Sequence, residues 1–92
     1  MNKFEELCAE LDNLDVPYRK AFNNSEKGHY AIFVGGAREG SMRYATVAYC
    51  AEVDIFSYHV VAGRAHSIKI TKSEEEVLAR VARFYFEEYE DV

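Results

Sequence analysis

Residues 43–70, RYATVAYCAEVDIFSYHVVAGRAHSIKI, decide the fold. β-Branched and aromatic residues come there in short runs separated by turn residues, the mark of antiparallel strands. The same texture reaches back to Tyr18, so five strands are predicted, near Tyr18–Phe22, His29–Val34, Arg43–Glu52, Asp54–Val61 and Ala65–Ile70. Asn23-Asn24-Ser25-Glu26-Lys27-Gly28 is a polar loop whose Asn and Gly tolerate positive φ, and Gly35 to Gly40 is a longer flexible connection. Glu52-Val53-Asp54 holds neither Gly nor Pro, so residues 43–61 read either as a hairpin or as one long bent strand with a bulge.

Outward from the strands the hydrophobic period changes. Phe4, Leu7, Cys8, Leu11 and Leu14 recur at spacings of three and four, which places them on one stripe of a helix that Asn2 caps and Pro17 ends. At the other end, Ser73 followed by Glu76 is a capping box, in which the Ser hydroxyl accepts from the backbone at 76 and the Glu reaches back. Glu74, Glu75 and Glu76 suit the positive end of that helix, and Val77, Leu78, Val81, Phe84 and Tyr85 form its apolar stripe. The predicted fold is therefore a single α+β domain over residues 1–92, an antiparallel meander of four or five strands with an N-terminal and a C-terminal helix packed on one face.

Charge follows the same boundaries. Residues 1–16 carry five acids and one base, residues 73–92 seven acids and two bases, and residues 17–72 eight bases and four acids; −4, −5 and +4 sum to the net −5 of the chain. Such segregation bears on partners and solubility rather than on fold. Apolar residues at 49% and aromatics at 14% suffice for a packed core and argue against disorder. The apolar runs are far too short for a membrane span and the acidic start is unlike a signal peptide, so a cytoplasmic protein with no membrane association is expected. Cys8 and Cys50 lack Cys-x-x-Cys spacing and are expected as thiols in a reducing compartment.

Sites with chemistry are few. With Ala62-Gly63 as a two-residue turn, His59 would lie opposite His66; with Gly63-Arg64, His66 faces Val61 and His59 faces Ile68. Gly at the first central position suits a type II′ turn, so the second register is predicted, and with it separated histidines and no metal site. The segment from Gly35 to Gly40 lacks the ending of a phosphate loop; its Arg38 and Glu39 are instead candidate partner contacts at a loop tip. No serine has a nucleophile-elbow context and no cysteine an evident activating partner, so neither catalysis nor a cofactor is expected.

Two surfaces remain. Arg19, Arg43 and Lys69, interleaved with Tyr and Phe, are expected on an open sheet face of the kind that binds single-stranded nucleic acid or a small ligand. The acidity of the chain and the absence of an RNA-recognition signature rank that use second. The tract Phe84-Tyr85-Phe86-Glu87-Glu88-Tyr89-Glu90-Asp91 ranks first, because three consecutive aromatics do not fit one buried stripe. Phe86, Glu87, Tyr89 and Glu90 are thus the predicted contact for a protein partner with a basic rim, or for a second copy in a homodimer. The expected function is a non-catalytic protein-binding module, an inhibitor or modulator of a basic nucleic-acid-handling protein. Its likeness to anti-CRISPR and DNA-mimic proteins is one of size and charge only.

Overall fold

The structure, a computed structural model, describes residues 2–24, 27–35, 43–62 and 64–90, without the side chains at 22, 23, 62, 65 and 87–90. Its elements are α1 (Lys3–Asn13), β1 (Arg19–Asn24), β2 (His29–Gly35), β3 (Arg43–Cys50), β4 (Ile55–Ala62), β5 (Ala65–Thr71) and α2 (Glu74–Glu90). The strands form one antiparallel sheet in sequence order, β1-β2-β3-β4-β5, so each neighbour in the chain is a neighbour in space. Both helices lie against one face, where Phe4, Leu7 and Leu11 of α1 and Val77, Val81 and Phe84 of α2 share a core with Ile32, Val47 and Phe56. No helix among the described residues is long and apolar enough to cross a membrane.

The helix ends are set by local chemistry. Asn2 Oδ1 accepts from the Glu5 amide at 2.8 Å and caps α1. Its C-terminus comes earlier than Pro17 requires: Asp15 takes φ 59°, and the Asp15 and Val16 amides donate to the Asp12 and Leu11 carbonyls at 3.1 and 3.0 Å. This is a Schellman closure with Asp in the usual glycine position, and the buried Val16 supplies its hydrophobic contact while Leu14 is left exposed. At α2 the Ser73 hydroxyl accepts from the Glu76 amide at 3.1 Å, as predicted. The return half of the box runs through a third group: the Ser73 amide donates to Thr71 Oγ1, and that hydroxyl donates to Glu76 Oε2, each at 3.0 Å.

The ambiguous segment between β3 and β4 is a hairpin. Cys50 pairs with Ile55, so residues 51–54 form the loop, and Asp54 provides its left-handed residue at φ 56°. Asp tolerates that conformation, which is why no glycine marks the turn. Two bonds hold Asp54 there, from Lys3 Nζ at 2.8 Å and from the Tyr49 hydroxyl at 2.9 Å, tying the hairpin to the start of α1. At the same end of the sheet Gly28 has φ 68° and a Cβ on it would sit 3.1 Å from that of Ala51, so this turn does require glycine.

Candidate functional site

Strand alternation assigns every described sheet residue to a face. Across the central strands, Tyr30, Ile32 and Val34 pair with Tyr49, Val47 and Ala45, and these with Phe56, Tyr58 and Val60; all face the helices. The intervening residues face away from them. On β5 the register Val61↔His66 and His59↔Ile68 is the one predicted for a Gly63-Arg64 turn. It sends Ser67, Lys69 and Thr71 to the helix side and His66, Ile68 and Ile70 to the open side. Ile68 and Ile70 are each 65% exposed.

The open face differs from the basic surface expected for it. Of Arg19, Arg43 and Lys69, only Arg19 lies there, with its guanidinium 5.0 Å over the Phe33 ring. Arg43 shares the parity of Ala45 and Val47 and stands 5.4 Å over the Phe84 ring of α2. Lys69 pairs with Tyr58 and reaches Glu76 of α2 at 3.5 Å. A cation near the end of a strand is tolerated on a core face when its long stem reaches the rim, and both of these do so beside α2.

What the open face does hold is apolar and aromatic. Phe33 stacks on Tyr44 with centroids 5.3 Å apart. Val61, flanked across its two ladders by Tyr44 and His66, is buried although it faces away from both helices. His59 Nε2 and His66 Nδ1 approach to 3.2 Å with rings 5.4 Å apart, because residues diagonal across an antiparallel ladder still meet. The predicted register is present, but it joins the histidines rather than separating them. Among the described residues no group of three or more His, Cys, Asp or Glu is placed to hold a metal ion. Cys50 shares this face while Cys8 is buried in α1, and both are free thiols; burial raises the pKa of Cys8.

The helix layer carries the acids. Glu74 at the start of α2 has its carboxyl pKa raised, first by burial and then by Glu6 and Glu10 of α1 beside it. Asp54 is shifted the other way by its bonds from Lys3 and Tyr49, and Glu76 likewise by the Thr71 hydroxyl, Lys69 and Arg80. Between α2 and strands β3–β5 opens a cavity of about 540 Å³, lined among others by Arg43, Ser67, Glu76, Arg80, Arg83 and Phe84.

Of the predicted helix-end contact, Phe86 is 41% exposed, set edge-on to Tyr85 at 5.4 Å. Glu87, Tyr89 and Glu90 continue α2, and their side chains lie outside the described set. Arg38 and Glu39 lie outside the described residues altogether. Ile68, Ile70, Phe33 and Tyr44 are not among the contacts expected from the sequence, although β5 holds the signal in its second half, where Ile68 and Ile70 alternate with Ser67, Lys69 and Thr71. Comparison of the chain with protein-family models, curated proteins and solved structures gives no match.

Proposed function

We propose that this chain is a non-catalytic, cytoplasmic protein-binding module whose contact surface is the open face of its sheet. The orientation of β5 carries this reading. An edge strand whose two isoleucines point away from the core while its Ser, Lys and Thr point toward it is amphipathic in the wrong sense for a lone domain, and in the right sense for a covered one. Five strands about 4.8 Å apart, each about 20 Å long, give a face on the order of 500 Å² in projection. A typical interface takes about 800 Å² of accessible surface from each partner, which a pleated face of that projection approaches.

Charge selects the kind of partner. No Asp or Glu lies on the described strand positions of the open face, whereas the chain as a whole is at −5. Long-range attraction therefore favours a basic protein, and the final contact is apolar. Inhibition or modulation of a basic nucleic-acid-handling protein fits both properties. Direct nucleic-acid binding by this face fits less well, since its one described strand cation, Arg19, already lies over Phe33.

The test is cross-linking of the native partner followed by affinity measurement with I68K/I70K. Loss of about 100-fold or more is expected when two charges replace the exposed apolar anchors of the contact, while E6Q/E10Q should slow association and weaken its salt dependence. Unchanged affinity of I68K/I70K for the cross-linked partner overturns the proposal. A wild-type dimer in sedimentation that I68K/I70K abolishes would replace the foreign partner with a second copy.

A further inference from the structure

His59 and His66 carry chemistry that an apolar contact does not use. Nε2 of the first and Nδ1 of the second face each other at 3.2 Å on the open side of the sheet, with His66 exposed and His59 half-buried. Imidazole nitrogens suit zinc, copper and nickel, and bind them in the neutral ring. Bonds of about 2.0–2.1 Å to a tetrahedral zinc ion hold two nitrogens about 3.3–3.4 Å apart. The pair stands within about 0.2 Å of that bite before any metal arrives. The hydrogen bond between the rings gives way when the donor ring carries its proton on its other nitrogen, which frees both facing nitrogens as ligands. Both residues sit on paired strands, β4 and β5, so the metal has little backbone left to order.

Two ligands are half of a set. Structural zinc takes four, and among the described residues no group of three or more His, Cys, Asp or Glu of one chain is placed to supply them. We infer that a zinc-class divalent ion joins two copies of this chain through His59 and His66 of each, and that this pairing closes the open face to the protein contact proposed above. A twofold axis presents the same residues twice, so two histidines per chain become four around one ion. Sheets packed face to face stand about 10 Å apart, which puts an ion on the axis about 5 Å above each sheet, a height that imidazole nitrogens reach.

Ile68 directly opposes His59 in the β4–β5 ladder, so an exposed isoleucine lies beside the ion and is covered with it. Without metal, two chains at −5 each repel one another. The cation offsets part of that repulsion where the copies meet, which makes the pairing metal-dependent. The regulatory consequence rests on the protein contact proposed above, whereas the metal-bound pair stands without it.

Sedimentation of the whole chain, first with a chelator and then with zinc chloride, tests the inference. The metal-free chain should sediment as a monomer, and zinc should double its mass at one ion per two chains. Cobalt(II) in place of zinc should give the strong visible bands of a tetrahedral site. H59Q/H66Q should stay monomeric at the same zinc concentration, and so should H66Q alone, a change at an exposed position that folding should survive. H29Q removes the remaining histidine of the chain and should pair like the wild type. When zinc holds about nine-tenths of the chain paired, apparent affinity for the cross-linked partner should fall about tenfold. A dimer already present in chelator, no zinc binding, one ion per chain with the mass unchanged, or pairing that persists in H59Q/H66Q overturns the inference. Partner affinity that pairing leaves unchanged overturns its regulatory half. I68K/I70K measured in chelator tests the protein contact by itself, so failure of either reading is distinguishable from failure of the other.

Discussion

The two faces of one sheet are built from the same strands, yet they solve different problems. On β3, Ala45, Val47 and Tyr49 are buried beneath the helices, while Thr46, Ala48 and Cys50 between them are only half-buried. The helix side holds a closed core with its polar groups bonded: Tyr58 donates to the Arg80 carbonyl at 3.1 Å and Tyr49 to Asp54. The open side has an aromatic pair, a histidine pair and two exposed isoleucines, with no second layer among the described elements. Apolar surface left out of the core in this orderly way is the observation on which the proposed contact rests.

The largest effect should come from breaking the closed side. Phe56 is fully buried and packs on Tyr49 at 4.5 Å. Phe56→Ala should cost about 3–5 kcal/mol through lost transfer energy and the cavity left behind. Chemical denaturation should show a lower midpoint with an unchanged slope. A smaller loosening of the same layer comes from its helix cap. Ser73→Ala leaves the Glu76 amide without its bond and should cost about 1 kcal/mol. Because the cap bonds to the helix-side Thr71 at the end of β5 while Ile68 and Ile70 face the other way, partner affinity at a temperature where the variant is folded should stay at the wild-type value.

The contrast also shows what a sequence makes readable. Period identified the helices and strands, since the change from spacings of three and four to short β-branched runs is imposed by backbone geometry. The Gly63-Arg64 register was legible for the same kind of reason. Face assignment was not, because polar residues were expected to point outward on every strand. Arg43 and Lys69 violate that rule through long stems that reach the rim, and β5 violates it from Ser67 to Thr71. The histidine contact is not legible from register alone, because His59 and His66 are not directly opposed and meet on a diagonal. The hairpin at Asp54 carried no glycine; its left-handed residue is stabilised by Lys3, 51 positions away in the chain.

Electrostatics sharpens the view of the helix side. Glu74 has a raised folded-state pKa, so its contribution to stability is full below the ordinary carboxylate value of 4.5 and is lost as pH rises through the raised value. Glu74→Gln should therefore raise the melting temperature at pH 7 and leave it nearly unchanged at pH 4. Asp54 has a lowered pKa and the opposite sign: its contribution is present above 3.8 and is lost as pH falls through the lowered value. Asp54→Asn should lower the melting temperature at pH 7 and have progressively less effect toward pH 2. Paired melting curves of the two variants from pH 2 to 8 check both signs in one experiment.

The smallest effect on folding is expected where the proposed contact lies. Ile70 pairs with Ser57, the neighbour of Phe56, so one residue of chain separates the closed side from the open one. Ile68→Thr and Ile70→Thr keep β-branching and strand propensity while removing apolar surface that the isolated chain leaves in water. Each should change stability by no more than about 0.5 kcal/mol, as surface substitutions do. Dilution separates the remaining outcomes. A loss of about 2 kcal/mol that persists at every protein concentration would mean that the isoleucines are packed within the monomer, and the open face would cease to be one. A loss that appears only at high concentration would mean that a second copy covers the face. A negligible loss at all concentrations, together with weaker capture of a partner, leaves Ile68 and Ile70 with a role in binding that folding alone does not require.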